Sequence, residues 1–427
     1  MNVPKLEKEL RIEAYTSKSL GIGGKIRQFP EDFIVEEVLS NGSEAQIELI
    51  EPPQISRRGR YLVCVLVKRN WDTILAVKKI ANQLGISPER IQIAGIKDTK
   101  AITAQHISIS RTIPEQISKI KIKDITLYPL HFSDEKIHSG TLYGNHFNIT
   151  IRAVAHPSSK IEERIENVKN ELKSFGGIPN FFGHQRFGTT RPITHMVGKH
   201  LVRGEREEAA LTFLAKSGEY EHPESRQARE QLWKTQNFRE ALENFPYQLR
   251  YERMMLHHLA KHPKDFVGAF RRLPTKLCKL FVQAYQSYLF NCFLSQRMKL
   301  GVPLNEIQTG DHTIRVDDQK RLALPLIGFK QPFSSGIQGE IERQVLKKEN
   351  VTPKNFLIFL MPEMSAAGGL RTALAPINGL SLGKPSEDSA NPFKRKVNIS
   401  FSLCKGSYAT IVLREFMKPQ NPIKAGF

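Results

Sequence analysis

The stretch AGIKDTKAITAQ (residues 94–105) sets one carboxylate, Asp98, between Lys97 and Lys100, where an apolar run (Ile91, Ile93, Ala94) breaks at a glycine. An aspartate after Gly-Ile-Lys can simply cap the following turn. A lone carboxylate crowded by cations can also act as nucleophile or base, because only its ionised form does either and nearby positive charge favours that form. Arg27, in GKIRQFPEDF, is a candidate for such a cation. Two aromatics sit beside tight turns: Phe147, two residues past Asn145 in GNHF, and Tyr408, after Gly406-Ser407. By default both belong to a core. In an RNA protein they would be platforms for an unstacked base, and the Asn145 amide could hydrogen-bond either an aspartate or a base edge. NFFGHQRFG (180–188) sets three phenylalanines around His184, Gln185 and Arg186, as a packing loop or as a rim that touches RNA.

Other chemistries lack their residues. GIGGK suggests a phosphate-binding loop, but Ser19 stands where its first glycine belongs and Ile26 follows the lysine. The thirteen histidines form no HExxH, and no cysteine pair has zinc-finger spacing. No GxSxG elbow occurs. An aspartyl-phosphate enzyme would carry an acid two positions past its nucleophile, where Lys100 stands here. The 427 residues carry 63 Lys+Arg against 43 Asp+Glu, a net +20. A field of that sign matches a polyanion, above all nucleic acid. The four scattered cysteines read as reduced core thiols of a cytoplasmic protein. Apolar runs as short as YLVCVLV argue against a membrane span.

These candidates need elements to position them. FIVEEV alternates as a strand, with Phe33, Val35 and Val38 as candidates for its apolar face. RYLVCVLVKR reads as a buried strand. A helix follows, capped by Asp72 or Thr73, stopped by Gly85, with Ile74, Val77, Ala81 and Leu84 on one face. RIQIAGIKD is then a strand that carries Asp98 to its end. GNHFNITIRAV places Phe147, Ile149, Ile151 and Ala153 on one side, and residues 158–177 form an amphipathic helix closed by Gly176 and Gly177. From about residue 189 the pattern turns helical. A polar loop spans 382–397, and VNISFSLCKGSYATIVLREF reads as a closing β-hairpin about Lys405-Gly406-Ser407.

Five segments in order, PEDFIVEEV, AGIKDTKAITAQ, GNHFNITIR, IPNFFGHQRFG and GSYATIVLRE, together resemble the tRNA pseudouridine synthase D (TruD) family. The resemblance covers most of the first 190 residues and about the last 30. It implies an isomerase that cuts the C1′–N1 bond of a uridine, turns the base over and rejoins it through C5, with no cofactor and no metal. Asp98 matches the family's catalytic aspartate. Phe147 matches the aromatic that replaces the tyrosine of other pseudouridine synthases, and Asn145 the asparagine beside it. Tyr408 falls where bacterial members tend to carry phenylalanine, and Arg27 where they carry lysine. The implied target is uridine 13 of the tRNA D arm, and the implied enzyme is a monomer that binds tRNA. Attack by Asp98 on C1′, attack on C6 and removal of the 2′ proton all remain open.

The implied fold is α/β (α+β). A pseudouridine synthase catalytic domain with a mixed, largely antiparallel sheet (residues 1–176 and 374–427) is interrupted by a mostly helical α/β insertion (177–373). The rival reading is a non-catalytic RNA-binding protein or RNA chaperone on the same scaffold. A pure binder has no use for a carboxylate facing a polyanion, so Asp98 separates the two.

Overall fold

The computed structural model describes residues 2–48, 55, 59–316 and 318–427. Its first strands are β1 (Phe33–Leu39), β2 (Tyr61–Arg69), β3 (Ile91–Ile93), β4 (Ile102–Ser110), β5 (Ile125–Ser133) and β6 (Leu142–Val154). Next come β7 (Ile178–Pro179), β8 (His312–Val316), β9 (Gln319–Leu326), β10 (Gly369–Thr372) and β11 (Leu374–Ala375), then β12 (Asn378–Leu382), β13 (Ser386–Glu387) and β14 (Arg395–Cys404). One nine-stranded sheet runs in the order β12-β14-β6-β1-β4-β2-β5, with β13 on β14 and β3 on β4. Only β1 and β4 pair in parallel, so the sheet is mixed and largely antiparallel.

The central pairing explains where Asp98 emerges. β1 and β3 share one edge of β4, β1 beside Ile102–Ala104 and β3 beside Ile107–Ile109, running toward each other. The chain cannot continue past Ile93 along that edge, because β1 occupies it, and so leaves the sheet as the loop that holds Asp98. The helix Thr73–Leu84 crosses between β2 and β3, with β4 paired between them. Asp72 caps it by accepting from the amides of Ile74 and Leu75, and Gly85 ends it at φ +65°. Val77 and Ala81 are buried with Thr73, Ala76 and Ile80, whereas Ile74 turns to solvent.

Three further expectations are corrected by packing. In β1 the inward face is Phe33, Val35, Glu37 and Leu39, so period two sends Val38 outward and buries a glutamate. In β6, Ala153 takes φ +55° where the pairing with β14 shifts register, and Val154 is buried in its place. Residues after Gly406 do not return as a strand: Ala409–Met417 is a helix with every residue buried. Burial all round erases the 3.6-residue pattern, which leaves a short β-branched run that reads like a strand.

The main core joins the buried faces of β1, β6 and β14 to the helices Ser158–Phe175, Thr275–Lys299 and Ala409–Met417. A second core lies between the helix Thr73–Leu84 and β2, β3 and β4. Between β7 and β11, which pair with each other, the chain is mostly helical with a small three-stranded sheet, β10-β9-β8. Among the described residues no helix is long and apolar enough to cross a membrane.

Candidate active site

The Asp98 loop is held from behind by its own backbone. The Lys97 amide donates to Thr73 Oγ1 (3.1 Å), Gln105 Nε2 donates to the Gly95 carbonyl (3.1 Å), and Lys68 Nζ donates to the Asp98 carbonyl (2.7 Å). Lys68 continues the inward face of Leu62, Cys64 and Leu66 in β2. Burial pulls its ammonium down to about 8, with Asp98 and Asp72 opposing. The Asp98 carboxylate is thereby aimed while remaining 26% exposed.

Oδ1 of that carboxylate accepts from Arg27 Nη2 (3.3 Å) and from Gln185 Nε2 (2.8 Å). Oδ2 takes no hydrogen bond from the described residues. Arg27 arrives from the N-terminal segment at φ +57°, a conformation that costs a non-glycine residue ~1–2 kcal/mol. Its side chain is fixed by a hydrogen bond to the Gly426 carbonyl (3.0 Å) and by the Phe33 ring, 3.9 Å from the guanidinium carbon. Burial lowers the Arg27 pKa and the Asp98 charge opposes that.

Asn145 does not reach Asp98. Its Oδ1 accepts from Lys97 Nζ, which also pairs with buried Glu37 at 2.8 Å. An ammonium only donates, so the amide is oriented with Oδ1 toward Lys97 and Nδ2 free to donate elsewhere. Burial pushes Glu37 up, but His106 and Lys97 outweigh it and hold the carboxylate below its ordinary range. Phe147 is 5% exposed, its ring between Phe33 (6.3 Å, edge-on) and Phe401 (5.5 Å). Tyr408 packs edge-on against Phe182 (6.1 Å), and Gly183 lies so close beneath it that a Cβ there would meet the Tyr408 ring at 2.9 Å.

Arg27, Asp98, Asn145, Phe147 and Tyr408 all line one cavity of about 250 Å³, together with Gln185. That volume fits a single nucleoside and falls below the ~300–1,000 Å³ of drug-sized sites. The structure thus gathers the five candidate residues from segments more than 380 positions apart. Gln185 lies in a segment already notable for its aromatics, but its contact with Asp98 is written in no spacing. Lys68 and Glu37 were legible only as charges on faces that period two assigns to a core. Among the described residues no histidine or cysteine lines the cavity. Glu36, Glu44 and His146, which lie close enough together to share an ion, belong to no part of it.

The site sets a partly exposed aspartate against an arginine over a buried aromatic floor, and the class of the chain that carries it, a pseudouridine synthase, is given by its relatives. The family model for tRNA pseudouridine synthase D (TruD) matches residues 9–416, which includes the helical region where the sequence motifs are sparse. The chain belongs to the TruD family, a family of isomerases. It is 38% identical to a probable tRNA pseudouridine synthase D of Methanosarcina mazei, over 99% of this chain and all of that one. It is 40% identical to the one of Methanosarcina barkeri, over 98% of each. The crystal structure of the putative tRNA pseudouridine synthase D (TruD) from Methanosarcina mazei superposes with a TM-score of 0.82 at 38% identity, over 99% of this chain and 100% of that one.

Proposed function

We propose that this enzyme converts a uridine of tRNA, that at position 13 of the D arm, into pseudouridine, with Asp98 as the catalytic residue. The observation that carries the reading is the asymmetric carboxylate: Oδ1 engaged by Arg27 and Gln185, Oδ2 unengaged, in a cavity the size of one nucleoside. The uridine leaves its stack, at a cost of a few kcal/mol. Its base lies against Phe147 and Tyr408, and stacking returns on the order of 1–3 kcal/mol. Asn145 Nδ2 donates to none of the described residues and serves a carbonyl of the uracil. Asp98 Oδ2 acts on the ribose or the base; the C1′–N1 bond breaks, the base turns over, and a C5–C1′ bond forms. The hydrogen lost from C5 is matched by the proton gained at N1, so the reaction is balanced without water or cofactor. One carboxylate therefore suffices.

Segment 177–373 acts in this reading as an insertion that closes over the RNA, its two ends tied by the β7–β11 pair. Arg250, Arg253, Lys261 and Arg272 line a groove in that segment and suit a phosphate backbone. The test is tritium release from 5-tritiated uridine in unmodified tRNA, native protein against Asp98→Asn. Release by the native protein, none by the variant, and tRNA binding by both is expected. Binding by both with release by neither would favour the non-catalytic RNA-binding reading.

A further inference from the structure

Phe393 is fully exposed, its accessibility 105% of the reference for a free side chain. It occupies the third position of the turn Asn391-Pro392-Phe393-Lys394, closed by the Lys394 amide donating to the Asn391 carbonyl (3.1 Å). Proline at the second position and φ +62° at the third are the pattern of a type II turn, whose third position favours glycine. A bulky aromatic in that place is strained and gains no packing for its strain.

The turn is nonetheless built to hold. Asp388 is buried beneath it and accepts from the Ala153 amide (2.9 Å), Arg152 Nη1 (2.9 Å), the Ala390 amide (3.1 Å) and Asn391 Nδ2 (2.8 Å). Arg152 also donates to buried Asp32 (2.6 Å). The turn therefore rests on the sheet through two buried carboxylates. It also braces the N-terminal segment: Asn391 Nδ2 donates to Gln28 Oε1 (2.9 Å), the residue after Arg27. Lys394, Arg395 and Lys396 follow the ring directly, Arg395 pairing with exposed Glu387 (3.6 Å), and the partly exposed Phe29 ring lies under the Arg152 guanidinium (5.2 Å).

We propose that Phe393 is an RNA-contacting residue that stacks on an unstacked base of the bound tRNA. This rests on the tRNA reading above. An aromatic ring presented rigidly to solvent covers the open face of an unstacked base whatever the base's identity. The adjoining cations suit the flanking phosphates, whereas a protein partner would be expected to find an apolar surround.

Because the ring touches nothing, its removal leaves the fold intact, and the test is clean. Tritium release from unmodified tRNA and thermal midpoints are measured for the native protein and for Phe393→Ala, Phe393→Gly and Phe393→Trp. The Ala and Gly variants should lose about 5- to 150-fold in kcat/KM, the range that base–aromatic stacking supports, while Trp stays within about threefold of native. The midpoint of Phe393→Gly should equal or exceed the native one, since glycine relieves the turn. Native release with Phe393→Ala within twofold of it would overturn the stacking role and leave the tRNA reading standing. Trp falling as far as Ala would also overturn it. No release by the native protein would refute the tRNA reading first, and this proposal with it.

Discussion

Lys97→Met is the sharpest probe of how the site is held. Lys97 Nζ stands 2.8 Å from Glu37 Oε2, with the two side chains 5% and 0% exposed. The other Glu37 oxygen accepts from the His106 amide (3.0 Å). Methionine fills similar space but strands a buried carboxylate, and removing one partner of a buried pair costs about 3–5 kcal/mol. At ~2–4 °C per kcal/mol for a cooperative unit of ~150–250 residues, the melting midpoint should fall by roughly 6–20 °C near pH 8.

The deficit should depend on pH in one direction. Lys97 is one of the two groups that hold Glu37 below its ordinary range against burial, so without it burial dominates and the folded pKa rises above the unfolded one. A carboxyl raised in the folded state contributes fully below its unfolded pKa, and that contribution is lost as pH climbs through the folded pKa. Lys97→Met should accordingly approach the native midpoint near pH 4.5 and diverge most near pH 8. Glu37→Gln combined with Lys97→Met removes both charges and should recover most of the stability. Turnover should stay low in that double variant, because Asn145 has lost the donor that orients its amide. Scanning calorimetry at the two pH values, with tritium release on the same samples, decides it. A deficit below about 1 kcal/mol, an equal deficit at both pH values, or activity returning together with stability would refute the account.

Three further outcomes follow from the same structure. Burial pushes His195, stacked on Tyr288, down to about 3; the unfolded chain takes up a proton near pH 6.5 that the folded one refuses, so stability falls as pH drops below ~6.5, by about 1.4 kcal/mol per pH unit. His195→Phe should flatten acid unfolding by that slope, and urea titrations between about pH 6 and 4 that show no change would contradict it. Lys68 loses its charge near pH 8, so kcat/KM should show an alkaline limb there, which Lys68→Arg moves upward; a limb that stays put excludes Lys68 as its source. If about 6–10 phosphates are neutralised, tRNA affinity should fall roughly 10³–10⁵-fold between about 50 and 200 mM salt, and filter binding that changes less than tenfold would argue against a backbone contact.

What could be read from the chain was what local chemistry determines. Asp72 and Gly85 bound a helix because an aspartate side chain satisfies orphan amides and a glycine turns left-handed without cost, and both effects act over a few residues. Phe33 and Val35 declared their face by period two, and the same period, followed one step further, would have buried Glu37 rather than Val38. The terminal helix was hidden because its neighbours bury every side of it. Arg414 makes the point: it lies inside the core, bonded to Glu7 (2.7 Å) some four hundred positions away, where a surface arginine would be the ordinary expectation. Asp98 and Arg27 stood out as a carboxylate and a nearby candidate cation, but that Lys97 serves Glu37 and Asn145, while Lys68 supports the Asp98 backbone, depends on which strands flank β4.

That division of labour bears on why a carboxylate can face a polyanion at all. Lys97, the cation adjacent in sequence, is balanced by Glu37 and contributes little net field. Arg27 engages Asp98 directly, at 3.3 Å, and Lys68 lies behind its carbonyl. Arg27 and Lys405 line the pocket beside the one exposed carboxylate, with Lys68 behind it, so an approaching phosphate meets a positive excess and the Asp98 charge is screened from it. The uracil that enters is neutral and leaves neutral after its bonds are exchanged, so the charges of the pocket are the same at the start and at the end of a turnover. A rigid loop, fixed through Thr73, Gln105 and Lys68, is suited to that demand: it carries a charge whose surroundings are the same before and after the base turns over.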